Sequence, residues 1–295
     1  MIPRAVANRF ANVLGVDLHL AQQEVVLLYA LSALASKGVV DHLVFKGGTY
    51  VRMMVTGDTG RLSEDLDFTN RGLPEDPEES LEAAFREPHF GVQFRIVDPY
   101  RTAQRNWACG VAYAHEWDEG RFRLEISYRE QPFLPPKRWR PLPQVYFASL
   151  PFPVPELPCL PREEAIAEKL RAIQQRATER DLYDAARYGR KGFDPGLVRL
   201  LAAGKLWNDH QALDPERILG VLSQGRREWP ELDRLIGRSR RQNWNRLTAE
   251  AARRFSFLRE LTPFERALAL DARHHSLRAK LSEALAPYVR SSRSS

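Results

Sequence analysis

The chain has only two cysteines, Cys109 and Cys159, and neither has a CxxC partner or a nearby pair of histidines. A disulfide framework and a structural zinc site are therefore not expected, and a reducing cytoplasm is the expected compartment. Long apolar runs are scarce too. The one near the N-terminus, residues 25–35, is too short to span a bilayer, and Asp17, His19, Gln22, Gln23 and Glu24 separate it from Arg4 and Arg9. It reads as a buried amphipathic helix, with no membrane partner. No internal repeat is visible, and the GxxxxGK[ST] pattern and the kinase signatures are missing, which excludes a P-loop hydrolase and a protein kinase.

What is present is a chain of 295 residues, 43% hydrophobic and 28% charged, enough to bury one or two cores. A net charge of +6 favours a polyanionic partner. Arginine is concentrated late, at Arg226–Arg227, Arg238, Arg240–Arg241 and Arg253–Arg254, with Trp229 and Trp244 interleaved. That pattern suits a phosphate-tracking surface with stacking aromatics, and equally a solvated helical face over core tryptophans.

Helical periodicity covers residues 5–37. Val39–Val40 and residues 43–45 then read as a buried strand ending in Lys46-Gly47-Gly48-Thr49, with Thr49 as the N-cap of a helix that Gly57 stops. Residues 65–69 alternate as a half-buried strand. A helix to Arg86 precedes three further strands, at 92–97, 107–115 and 121–128, with Asp118-Glu119-Gly120 as the last turn. The prolines between 151 and 161 forbid regular helix. The expected division is thus 1–150 with a small mixed sheet flanked by helices, a linker at 151–161, a helical domain at 162–289 that completes the active site, and a disordered tail at 290–295.

Asp65 and Asp67 lie two apart on a predicted strand and so project from one face. Two such carboxylates repel unless a cation, a proton or an arginine compensates them. Magnesium, or manganese in its place, fits when phosphates are the substrate. Gly47–Gly48 can bring backbone amides close to a triphosphate, or be an ordinary strand-to-helix turn, and Ser63 can add a hydroxyl to a phosphate or merely bond the turn. His42 has no partner at metal-ligand spacing and reads as structural.

The order is more specific than its parts. Leu43-Val-Phe-Lys-Gly-Gly-Thr49 followed by Arg61-Leu-Ser-Glu-Asp-Leu-Asp-Phe68 resembles the AbiEii/AbiGii toxin family of nucleotidyltransferases, as do Glu168-Lys169 with Ala172 and Arg180-Asp181-Leu-Tyr-Asp184 further on. The resemblance implies an α+β fold with a DNA-polymerase-β-like nucleotidyltransferase core and a mostly helical C-terminal domain. It also implies that Lys46, Gly47, Gly48, Thr49, Ser63 and Lys169 bind the nucleoside triphosphate while Asp65 and Asp67 bind magnesium. Physically, Lys169 can neutralise the departing pyrophosphate or form a solvent-facing ion pair on its helix, and Asp181 can orient Lys169, take a proton from the acceptor, or be a helix N-terminal carboxylate favoured by the macrodipole.

The implied fold uses a third carboxylate on a neighbouring strand, and Glu125 is the candidate, since it falls on the polar side of the alternation at 121–128. An exposed Arg–Glu pair explains that position equally well. The implied reaction transfers a nucleotide from the triphosphate to RNA, with tRNA as the expected acceptor and a cognate antitoxin protein as a further partner. Transfer to a protein hydroxyl, and a non-catalytic module that binds nucleic acid or antitoxin, are the alternatives.

Overall fold

The computed structural model describes residues 2–224, 230–237 and 243–293. They form two compact units: 2–131, 136–159 and 230–237 in the first, and 132–135, 160–224 and 243–293 in the second.

The first unit is built on a seven-stranded mixed sheet. Its strands are β1 (Leu43–Lys46), β2 (Asp65–Asn70), β3 (Gln93–Arg101), β4 (Asn106–His115), β5 (Asp118–Ser127), β6 (Lys137–Trp139) and β7 (Leu157–Cys159). They are ordered β3-β4-β5-β2-β1-β7-β6. β2 is antiparallel to β1 and parallel to β5, so residues far apart in sequence meet at the middle of the sheet.

The N-terminal helical stretch is two helices, α1 (Arg4–Leu14) and α2 (Leu18–Ser36). The first ends at Gly15, whose left-handed backbone (φ 67°) lets its N–H reach the Ala11 carbonyl. α2 is apolar around most of its circumference, as befits a core helix. At 19 residues it is long and apolar enough to cross a bilayer, unlike the shorter run expected from the sequence, yet 83% of its apolar window is buried inside the fold.

Several boundaries shift for local reasons. Residues 39–42 form a 3₁₀ turn rather than part of a strand. Asp118-Glu119-Gly120 is already strand, because His115 pairs with Asp118 and the hairpin turns at Glu116–Trp117. Thr49 caps nothing: the helix α3 (Gly47–Tyr50) begins two residues earlier, with Lys46 at the N-cap, and continues as a π-helical turn, Val51–Thr56. The helix α4 (Glu78–Phe85) then leads to β3. The proline-dense interval expected as linker contributes β7, which pairs in parallel with β1.

The second unit is helical. After α5 (Arg162–Gln175) come α6 (Glu179–Tyr188), α7 (Pro195–Asn208) and α8 (Pro215–Ser223); α9 (Pro230–Leu235) returns to the first unit, and α10 (Trp244–Arg254), α11 (Pro263–Asp271) and α12 (Arg278–Arg293) complete the second. The helix starts are written locally. Asp194, Asp214 and Thr262 each cap a helix whose first residue is proline, and Thr262 forms a capping box with Glu265. α12 runs on to Arg293, so the expected disordered tail is helical over 290–293; Ser294 and Ser295 lie outside the described residues.

Candidate active site

The carboxylate strand is positioned by alternation. Leu66 and Phe68 of β2 are buried in the core, which turns Asp65 and Asp67 together to the opposite, half-exposed face. The sheet register then sets Lys46 opposite Asp67 on one side, and Arg123 opposite Asp65 and Glu125 opposite Asp67 on the other. Laterally paired residues share a face, so three carboxylates and an arginine are gathered there. The Glu125 carboxylate accepts from the Arg123 guanidinium and, at 2.8 Å, from Asn106 Nδ2. Burial by itself would lower the Arg123 guanidinium, but Glu125, Tyr100, Asp67 and Asp65 outweigh it and raise it above its ordinary value. Arg123 thus supplies the compensating charge that adjacent carboxylates need.

The glycine turn is locked to that strand. Gly47 has φ +78°, a conformation costly for any other residue, and a methyl group there would overlap the Asp67 carboxylate. A Cβ on Gly48 would lie 2.8 Å from Ser63 Oγ and 2.5 Å from Arg61 Nη2. Ser63 and the Arg61 guanidinium therefore pack directly on the turn, and both are buried. The hydroxyl of Thr49, also buried, donates to the Asp65 carbonyl, so it ties the helix to the strand that carries the aspartates. On the π-helical turn that follows, Arg52 donates to Glu24 from Nε at 2.7 Å and from Nη2 at 3.0 Å, both side chains being almost fully buried.

In the second unit, Lys169 on α5 is paired with Asp181 at 3.3 Å and Asp184 at 2.8 Å, both on α6. Asp181 also accepts from Arg176 Nε (2.8 Å) and from the Thr178 hydroxyl (2.7 Å). Burial would raise its carboxyl, but Lys169, Arg176 and Thr178 together hold it well below the usual carboxylate range. A carboxylate so strongly ionised is a weak proton acceptor; it is suited to orienting Lys169.

Among the described residues, no three His, Cys, Asp or Glu side chains are grouped so as to hold a metal. Asp65 and Asp67 nonetheless fit magnesium, which needs one or two protein carboxylates when phosphate oxygens and water complete its octahedron. Glu125 lies beside them, its carboxylate held by Arg123 and Asn106.

A family model for the nucleotidyl transferase AbiEii toxin of type IV toxin–antitoxin systems matches residues 29–270, a span that includes the glycine turn, the carboxylate strand and Lys169. The chain belongs to this family. It is a nucleotidyltransferase toxin. Its fold is similar to that of MenT4, a nucleotidyltransferase toxin from Mycobacterium tuberculosis H37Rv, with a TM-score of 0.80 and 26% identity over 97% of this chain and 99% of that one. JHP933 from Helicobacter pylori shares the fold at a TM-score of 0.51 and 20% identity, covering 90% of this chain and 98% of that one. Among curated proteins none matches the sequence.

In this AbiEii toxin the structure gives partners to residues outside the expected site, among them the Arg123–Glu125 pair that was the alternative reading of that strand. Arg61 heads the Arg-x-Ser-x-Asp-x-Asp motif, and its packing on Gly48 is a tertiary fact that the motif only hinted at. Arg123 shares the strand alternation of Glu125, and Asp184 the three-residue spacing from Asp181. Trp244 is not a stacking surface: it is buried, edge-on to Tyr183. Arg254 bonds the Gly189 carbonyl at 2.8 Å and pairs with Glu250. Arg226, Arg227, Trp229, Arg238, Arg240 and Arg241 lie outside the described residues.

Proposed function

We propose that this toxin transfers a nucleotide from a nucleoside triphosphate to the 3′ end of an RNA, tRNA above all, in the cytoplasm, with release of pyrophosphate and under the control of a cognate antitoxin. The observation that carries this reading is the shared sheet face on which Asp65 and Asp67 stand beside Glu125, directly against the Gly47–Gly48 turn. Asp65, Asp67 and Glu125 are the metal carboxylates, with magnesium as the ion and manganese as its substitute. A bound magnesium ion supplies charge to the triphosphate and to the pyrophosphate as it leaves.

The chain's own residues do the positioning. Lys46, the amides of Gly47 and Gly48, and Ser63 hold the phosphates, while Thr49 fixes the turn against the Asp65 backbone. Arg61 adds a second cation beside the turn. In the second unit, Asp181 and Asp184 together hold the Lys169 ammonium in place.

Incubation with bulk tRNA, magnesium and each α-labelled triphosphate tests the reading. Label is expected on tRNA with the wild type and to be lost with Asp65→Ala. Transfer that survives in Asp65→Ala overturns the metal-site assignment, and label on protein instead of RNA overturns the acceptor.

A further inference from the structure

The second unit carries a ring stack at and just beyond the ends of α7 and α11. Three rings stack there. The His275 imidazole lies 4.2 Å from Trp207 at an interplanar angle of 29°, and 4.2 Å from His210 at 6°. Exposure rises along the stack: Trp207 is buried, His275 half-buried, His210 exposed.

The inner rings are anchored. His275 Nε2 donates to the Trp207 carbonyl at 2.6 Å, and Trp207 Nε1 donates to Asp271 at 3.1 Å. Asp271 in turn accepts from the Ser276 hydroxyl and the Leu277 N–H, and the Arg278 guanidinium stands 5.3 Å from the Trp207 ring. The outer ring, His210, is backed by this anchored pair.

Both histidines occupy left-handed backbone, φ 58° at His210 and 54° at His275, just past the ends of two helices. Glycine is the favoured residue at such positions. Histidine is one of the few non-glycine residues that adopt this conformation readily. A helix stop alone needs no ring, and His210 covers no core, being exposed.

The surroundings suit a polyanion. Residues 272–280 carry Arg273, Arg278 and Lys280 with no carboxylate among them. Two flanking acids are engaged: Asp209 accepts from Gln175 at 2.8 Å and pairs with Arg171 at 3.6 Å, and Asp271, buried, accepts from Trp207; Glu283 on α12 is exposed. Near-parallel imidazoles do not aim their nitrogens at a common point, and His275 Nε2 is already a donor, so the pair is not built to chelate a metal.

We infer that the stacked His210 and His275 rings, flanked by Arg273, Arg278 and Lys280, form a base-stacking platform for the RNA acceptor. The inference rests on the RNA reading given above. Stacking on an exposed ring face is sequence-tolerant, and a basic flank provides the phosphate attraction that accompanies it.

Binding of bulk tRNA to the wild type, His210→Gly and His210→Tyr tests it, alongside the Tm of each. His210→Gly removes the ring and relieves the backbone, so the Tm should not fall; tRNA affinity should fall about tenfold, with the dependence on salt unchanged. His210→Tyr keeps a ring and should bind close to wild type. Wild-type affinity in His210→Gly, or an equal loss in His210→Tyr, overturns this inference and leaves the acceptor reading intact. If the wild type binds no tRNA at all, both fall together.

Discussion

Asp67 and Glu125 are register partners across the parallel β2–β5 pair, yet the Glu125 carboxylate is held by Arg123 and Asn106. In the structure Arg123 is the counter-ion of Glu125; in the proposed function a divalent cation takes that place. Glu125→Gln should raise the magnesium concentration needed for half-maximal label transfer by about 10- to 100-fold, with kcat at saturating metal less affected. An unchanged magnesium titration would assign Glu125 to Arg123 alone.

Gly47→Ala forces a Cβ into left-handed backbone and into the Asp67 carboxylate. The backbone term alone costs about 1–2 kcal/mol. Label transfer should drop by at least about tenfold, because a displacement near 1 Å of a metal carboxylate is enough to do so. Full activity with a lowered Tm would show that Asp67 can relocate without harm.

Asp181 carries a pH signature. Its carboxyl is held below the usual range in the folded protein, so it binds a proton less readily than it does in the unfolded chain. Its stabilisation is therefore complete above the unfolded value near pH 3.9, and is lost as pH falls from there toward the folded value. Asp181→Asn should cost about 3 kcal/mol at neutral pH, the lower end for a broken buried pair because Asp184 still serves Lys169. Urea unfolding followed from about pH 3 to about pH 7 should show the variant less acid-sensitive than the wild type. A parallel pair of curves would contradict the assignment.

Arg52 and Glu24 are a buried ion pair. Removing one charge strands the other, so Arg52→Met should destabilise by about 3–5 kcal/mol. Arg52→Met with Glu24→Leu should recover much of that, though Gln144 and Tyr146, which also touch the pair, lose partners. Melting temperatures of the two variants check the order, and a double variant weaker than Arg52→Met would refute it.

Much of the site was legible because its logic is local. Alternation along 65–69 sufficed to turn Asp65 and Asp67 to one side, and the order of glycine turn, Arg-x-Ser-x-Asp-x-Asp, Glu-Lys and Arg-Asp-x-x-Asp carried the family. Thr49 was misread because an N-cap and a residue inside the first turn look alike until the bond to the Asp65 carbonyl is seen. Trp244 was offered as a stacking ring on the same footing as a core residue, and only its packing against Tyr183 separates the two.

The sequence by itself determined what depends on neighbours along the chain: the alternation of β2 and the caps at Asp194, Asp214 and Thr262. These follow from backbone geometry and hydrogen bonding within a few residues. Only the tertiary structure decided that β5 lies beside β2 and so brings Glu125 and Arg123 to the aspartates. It likewise decided that Arg52 meets Glu24 and that His210 stacks on His275. Such pairings are selected by the burial of whole elements against one another, and no short window of sequence records them.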